Sequence, residues 1–304
     1  MTAHTWTRRL RVDVDDIRSR PNGVHHSRQF CETRRADTNA CVGPVPSPVV
    51  NTDDGGHRDR AVAALADRDY ETAGDAYTRA AWRVLADPRP GQDPFDADEK
   101  GWVGDGLAAF VRSAVCYRVA GRPERATRRG VEGVAVARDL KSVLDRPVQR
   151  ACLDESVADC KTAGGLDGGP AAYDEAAEAY RGAADRVDDP QYCGTTPLFE
   201  AAAGPLQQLA RTVANGEIAV AWEDLHGSDP VHPGAFLAHR ATFKRQRFGE
   251  LVERVVDEGF LAAPRGTTEY DTDHHRCPAC GSTDVNWVAD SVLCLRCSRP
   301  TEPT

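Results

Sequence analysis

Four cysteines near the carboxyl end are the residues whose type and spacing most clearly indicate chemistry. Cys277 and Cys280 form one C-x-x-C pair, and Cys294 and Cys297 form a second pair after 13 intervening residues. Each pair can present two sulfurs from one tight turn, so four thiolates can surround a divalent cation at about 2.3 Å. The spacing predicts one Zn²⁺. Four thiolates leave no open coordination position, so we expect the ion to be structural and not catalytic.

Two other uses of these cysteines are compatible with the spacing. An iron centre has the same four-cysteine geometry, and two C-x-x-C pairs could also act as redox dithiols. We favour zinc because no neighbouring residue suggests electron transfer. His274 and His275 precede the first pair and could join the site. With four cysteines available, we expect both histidines to lie in the linker.

The residues between the cysteine pairs predict a small hairpin. Segments 284–288 and 291–295 are β-prone, and Ala289 and Asp290 lie where the turn should fall. This arrangement resembles a zinc ribbon over residues 270–300, and the resemblance carries over only the four cysteines. Gly281 follows the first pair, whereas Ser298 stands where glycine is usual after the second. About 30 residues with few apolar side chains would depend on the metal for stability.

Upstream of the hairpin, residues 56–230 are rich in alanine and repeat a helical pattern. Segments 69–80, 122–133 and 172–183 each place a bulky or ring residue before small residues at helical spacing, and a weaker copy covers 216–225. Small residues at this spacing let two helices approach closely, and the aromatic rings fill the space between neighbours.

These segments resemble the second helices of tetratricopeptide repeats. Segments 110–117 and 206–210 resemble the first helices, although the repeat spacing of 45–53 residues exceeds the family's 34. The resemblance implies a mainly α fold of helical hairpins stacked as an irregular α-solenoid, with a groove that holds a protein or peptide. A capping helix is expected over 231–263, followed by the small β zinc ribbon.

Residues 1–55 differ from the rest of the chain. They are basic, contain several proline and glycine breaks, and show no sustained periodicity. We expect a disordered or mis-annotated extension, with translation starting near Val49 or Val50. The alternative is a basic arm that contacts nucleic acid or an anionic surface.

The overall charge suggests adaptation to salt. The net charge is −9, aspartate outnumbers glutamate, and only four lysines occur beside 34 arginines. This balance resembles that of proteins of halophilic archaea, where acidity says little about partners. No apolar run reaches the roughly 20 residues of a membrane span, and no secretory signal is evident, so we expect a cytoplasmic protein that does not associate with membranes.

No catalytic signature appears in the sequence. Phosphate-binding G-x-x-x-x-G-K-[ST], H-E-x-x-H and G-x-S-x-G patterns are absent. The segment 96–107 begins like a calcium loop but places Leu107 where a bidentate glutamate is required. The glycine-rich segment 164–169 has no preceding strand and is expected to be a loop. The chain is therefore not expected to be an enzyme.

Two functions remain from this reading. The first is a non-enzymatic protein–protein interaction scaffold with a structural zinc ribbon. The alternative is a nucleic-acid-associated regulator of the transcription type that uses the ribbon and the basic helix 239–254. For that alternative the candidate contacts are Arg240, Lys244 and Arg247.

Overall fold

The computed structural model describes residues 56–86, 100–227 and 232–304, all within one compact unit that spans 50–304. About two thirds of the described residues are helical. The expectation of a disordered or mis-annotated extension over 1–55 lies outside the described residues. Among the helices that are described, none has the length and apolar character needed to cross a membrane.

Ten α-helices and one short 3₁₀ turn precede the strands in the described part of the chain. The helices are α1 (His57–Asp67), α2 (Tyr70–Ala86), α3 (Gly101–Val119), α4 (Pro123–Val143), α5 (Pro147–Ala163), α6 (Gly169–Ala183), α7 (Pro190–Gly194), α8 (Pro197–Val213), α9 (Trp222–His226) and α10 (Pro233–Asp257), and the 3₁₀ turn covers Ala184–Arg186.

Proline sets the starts of half of these helices. The first amide of a helix has no intrahelical partner, so proline loses nothing there, and its fixed φ suits the first turn. The five helices that begin with this residue start at Pro123, Pro147, Pro190, Pro197 and Pro233. At the other end of α10, Gly259 has a φ of 61°, and the amides of Gly259 and Phe260 donate to Val256 and Val255. These two bonds form a Schellman cap, and the positive φ of Gly259 ends the helix.

Helices α1 to α6 pack in chain order, each against the next. A Cβ added to Gly130 of α4 would lie 2.8 Å from the Cys160 carbonyl oxygen of α5, so only glycine permits this approach. Gly74 of α2 likewise lies against the Tyr117 ring of α3. The prediction that small residues allow close helix approach is confirmed. The repeated tyrosines Tyr77, Tyr173 and Tyr180 are buried between helices, as expected.

The later helices return across the earlier ones. Helix α8 packs against α3 and α5, and α10 packs against α6, α5, α3 and α8. The chain itself therefore covers part of the surface of the stacked hairpins. The groove expected for a partner peptide is not open along α5, because α10 lies there.

The fourth predicted copy is wrong over most of its length. Only Trp222–His226 is helical, and residues 216–221 are not. The reason is the end of α8, where Asn215 has a φ of 54° and Gly216 a φ of 90°. Two successive residues in the left-handed region cannot continue a right-handed helix.

The carboxyl-terminal residues form two small antiparallel sheets. Strands β1 (Thr267–Glu269), β3 (Val285–Val288) and β4 (Ser291–Cys294) pair in the order β1–β3–β4, whereas β2 (His275–Arg276) pairs with β5 (Glu302–Pro303). The predicted hairpin is β3–β4, and Ala289 in its turn has a φ of 50°. Strands β1 and β5 were not expected, and they extend the sheet region beyond 270–300.

Candidate metal centre

The four predicted cysteines lie together at one end of the β3–β4 hairpin. Their Sγ atoms are all within 4.8 Å of one another. Three sulfur–sulfur distances are 3.6 Å (Cys277–Cys297), 3.5 Å (Cys280–Cys294) and 3.8 Å (Cys280–Cys297). A tetrahedron with metal–sulfur bonds of about 2.3 Å has edges of about 3.8 Å. The four side chains could therefore hold one metal ion.

Two similar turns position these sulfurs. The amide of Gly281 donates to the Cys277 carbonyl at 2.9 Å, and the amide of Ser298 donates to the Cys294 carbonyl at 2.9 Å. Both residues that close the turns have positive φ, 76° at Gly281 and 55° at Ser298. Backbone amides within each turn act to lower the pKa of the first thiol of each pair, which favours a thiolate there.

Binding of a metal ion to this cluster would release protons. Burial raises the pKa of the Cys277 thiol, and the hydrogen bond with Cys297 raises the pKa of Cys294. A cation must displace these protons before the sulfurs can coordinate it, so metal affinity should fall as the pH falls.

The contacts of Ser298 explain why serine, and not the usual glycine, follows the second cysteine pair. Its hydroxyl accepts a hydrogen bond from the amide of Ala263 at 3.0 Å, and the side chain is buried. Glycine at this position would adopt the positive φ more easily but would leave the Ala263 amide without that acceptor. Serine therefore joins the second cysteine turn to the segment that follows α10.

The cysteine hairpin packs against α1, the first helix in the described residues. Val288 and Leu293 from the hairpin form a buried apolar cluster with Ala263 and with Val62 and Ala66 of α1. These contacts are far apart in sequence, so neither the helix pattern nor the cysteine spacing could have predicted them. The hairpin is therefore packed against the helical part and does not form a separate module.

Polar contacts hold the second cysteine turn in the same place. Arg68, just after α1, donates to the Cys297 carbonyl at 3.0 Å. Arg296, between the two cysteines, donates to the carboxylates of Asp284 at 2.9 Å and of Glu217. Cys297 and its neighbour Arg296 thus contact both the end of α1 and the loop that follows α8.

The two histidines before the first cysteine pair, the tryptophan of β3 and the two cysteines of α5 lie outside the cysteine cluster in the described residues. Neither His274 nor His275 joins the cysteine cluster in the described residues, and the His275 ring lies edge-on to Trp287 at 5.3 Å. Trp287 is 41 % exposed. Cys152 and Cys160 are buried in α5 and pack as small core residues.

The structure corrects the candidate nucleic-acid contacts. Arg240 is 2 % exposed and Lys244 is 0 % exposed, so neither side chain can reach a phosphate at the surface. Arg247 alone of the three is exposed. The cause is helical spacing, because Arg240 and Lys244 lie on the same face of α10 as Phe236 and Phe248, which are buried.

The two buried cations belong to a network that joins four helices. Arg240 donates to both carboxylate oxygens of Glu155 at 2.8 and 2.9 Å, and Lys244 donates to Asp159 at 2.6 Å. Tyr180 and Tyr173 of α6 each donate to one of these carboxylates at 2.6 Å. Backbone carbonyls of α8 accept from the cations, at Phe199 and Ala202.

Each charge in this network has an opposite partner. Burial alone would raise the pKa of the Glu155 carboxyl, but the nearby Arg240 and Lys244 lower that pKa to about 2. The nearby carboxylate keeps the pKa of Arg240 high despite burial. Two carboxylates and two cations balance, and their remaining donors and acceptors are largely used within the fold. Each of the four charged side chains is therefore bonded to other groups of the protein.

Comparison of the chain with protein-family models, with curated proteins and with solved structures finds no match.

Proposed function

We propose that the chain is a non-enzymatic protein-interaction scaffold whose C-terminal zinc ribbon fixes the helical part in one arrangement. The proposal rests mainly on one observation, the packing of the cysteine hairpin against α1 through Val62, Ala66 and Leu293. A metal that orders the hairpin would also hold the first helix. We further propose that α1–α6 are tetratricopeptide-like hairpins, supported by the pairwise packing of consecutive helices.

The preference for zinc follows from the ligand set. Four thiolates with sulfur–sulfur distances near 3.5–3.8 Å suit Zn²⁺ in a closed structural site. The residues that would hold the ion are Cys277, Cys280, Cys294 and Cys297. Thiols must stay reduced to bind it, which suits the reducing cytoplasm that the sequence predicts.

A non-enzymatic role is supported by the buried network. Glu155, Asp159, Arg240 and Lys244 form a buried group of charged side chains away from the cysteines, and each bonds to another protein group. The nucleic-acid alternative loses support because two of its three candidate contacts are buried.

Hydrogen exchange with and without chelator tests the structural role of the metal. Chelation should increase amide exchange in 285–294 and also in α1, because the two share an apolar cluster. Helix α4, which packs against α3 and α5, is the internal control and should change little. Unchanged exchange in α1 after complete metal removal would contradict the proposal.

A reconstituted complex tests the scaffold role. Proteins captured by the zinc-loaded chain after nuclease treatment should include one that, once purified, binds the purified chain directly with a measurable Kd. Capture that disappears on nuclease treatment would instead favour nucleic-acid association, and turnover of a captured small molecule would favour an enzyme.

A further inference from the structure

The helical part contains a cavity of about 330 Å³ between α3, α8 and the segments 218–220 and 264–265. Four arginines contribute to its lining, and no acidic side chain of the described residues does. These arginines are Arg58, Arg112, Arg211 and Arg265. A cavity lined in this way carries a strong positive charge.

Arg211 is the most unusual of these residues. Its side chain is 3 % exposed, yet none of its three guanidinium nitrogens has a hydrogen-bond partner among the described residues. A buried cation without an acceptor is costly, and groups of this kind are rare in folded proteins. Burial, with help from Arg265, lowers the pKa of Arg211 to about 10, so it is still a cation at neutral pH.

Arg265 adds a second incompletely bonded guanidinium. One of its terminal nitrogens donates to the Thr268 hydroxyl at 2.8 Å, and the other has no partner in the described residues. Arg112 is held from the other side, since its Nε donates to Gln208 at 3.0 Å. The carboxylate that influences Arg112 is Asp105, which lines the adjoining cavity and not this one.

We propose that this cavity binds a small phosphate monoester through Arg211 and Arg265. Among the described residues Arg211 has no acceptor and Arg265 has only a hydroxyl, so a dianion would balance the two cations. Guanidinium groups match the oxygen geometry of phosphate bidentately. The cavity is larger than a phosphate group needs, and Ile218, Val220 and Pro264 give one side an apolar surface. The ester group would lie against that surface.

Gln208 acts as a positioning residue in this site. Its amide nitrogen donates to the Ala262 carbonyl at 2.7 Å while its oxygen accepts from Arg112. This fixes Arg112 and the chain near Pro264 relative to α8. The cavity is separate from the cysteine ligands, and the proposal does not depend on the scaffold function.

Calorimetry and thermal unfolding of the full zinc-loaded chain test the proposal, with inorganic phosphate and phenyl phosphate compared against chloride at equal ionic strength. At about 100 times its Kd, phosphate should raise Tm by about 5–10 °C over chloride. Phenyl phosphate should bind more tightly than inorganic phosphate, because its ring buries apolar surface. No phosphate-specific rise would overturn the proposal, and binding of inorganic phosphate alone would overturn the ester assignment.

Substitutions locate the binding. Arg211→Met should abolish the phosphate-dependent rise and should not lower Tm in chloride, because it removes a buried charge that has no partner. Arg265→Met should weaken phosphate binding by about 10- to 100-fold. Arg247→Met, at an exposed position of α10, is the control and should leave binding unchanged. Retention of phosphate binding in both Arg211→Met and Arg265→Met would overturn the proposal.

Discussion

At the scale of single residues, the most consequential pair of side chains is Lys244 and Asp159. Both are buried, with Lys244 donating to Asp159 at 2.6 Å and to the Ala202 carbonyl at 2.7 Å. Neither charge can be hydrated if the other is removed. Such pairs contribute little beyond a well-packed apolar pair, but breaking one leaves an uncompensated charge.

Lys244→Met should therefore lower the free energy of unfolding by about 3–5 kcal/mol, measured by urea denaturation. Arg247→Met, on the same helix but exposed, should change it by no more than about 0.5 kcal/mol. If the two variants were equally stable, the buried network would not have the role described.

His226 predicts a second effect at this scale, one that depends on pH. The ring is 3 % exposed and lies between Trp222 and Phe236, with ring centroids 3.9 and 5.3 Å away. Burial, and then the nearby Arg240, lower the pKa of His226 from 6.5 to about 4, with Glu155 opposing and His239 adding to the shift. The unfolded chain therefore binds a proton below about pH 6.5 that the folded chain does not bind until about pH 4.

Stability should accordingly fall as the pH decreases through this window. His226 should cost about 2 kcal/mol between pH 7.5 and pH 5. His226→Phe keeps an aromatic ring and removes the titration, so its unfolding free energy should fall by about 2 kcal/mol less over the same range. Parallel pH profiles for the two proteins would show that His226 does not titrate as described.

Some residue positions could be predicted from the sequence, but the burial of Arg240 and Lys244 was not. The cysteine positions follow from their spacing, because ligand turns are local. Arg240 and Lys244 were taken as a surface cluster, although their four-residue spacing from Phe236 and Phe248 places them on an apolar face. Their partners Glu155 and Asp159 show the same spacing on α5, which was the available signal.

At the scale of elements, the contact between the α8 terminus and the second cysteine turn positions the hairpin. Gly216 has a φ of 90°, and a Cβ there would lie 2.1 Å from the Leu295 carbonyl oxygen. Gly259 also has a positive φ, of 61°, but a Cβ there would meet nothing within 4 Å. Comparing the same substitution at these two glycines therefore separates the cost of backbone strain from the cost of a clash with the hairpin.

Gly216→Ala should destabilise the protein more than Gly259→Ala. The control carries only left-handed strain, about 1–2 kcal/mol, whereas Gly216→Ala adds a clash with the hairpin worth about another 1–3 kcal/mol. Thermal unfolding and zinc affinity measure the two effects, and only Gly216→Ala should weaken zinc binding. Equal losses of stability and zinc affinity in both variants would show that the loop after α8 does not position the second cysteine turn.

The elements themselves were predictable to different extents. Helices α2, α4 and α6 and the β3–β4 hairpin carry local periodicity and turn residues, and they appear where the sequence places them. Strand β1 covers three residues and is defined by pairing with β3, so no local pattern indicated it. The false fourth copy shows the converse, since alanine-rich composition was outweighed by Asn215 and Gly216.

At the scale of the whole molecule, the described helices and the hairpin form one continuous arrangement. Helix α10 packs across α3, α5, α6 and α8, and the chain after α10 returns to α1. The amide of Leu261 donates to the Tyr70 hydroxyl at 3.3 Å, which joins this return to the start of α2. Sequence periodicity alone predicted stacked hairpins but not this closure, because closure depends on contacts about 200 residues apart.

We propose that Cys277, Cys280, Cys294 and Cys297 bind one cation, and metal analysis combined with X-ray absorption at the metal edge tests this central claim most directly. We expect one zinc per chain with four sulfur neighbours at about 2.3 Å. Protein purified without stoichiometric zinc, or zinc with oxygen or nitrogen in its first coordination shell, would contradict it.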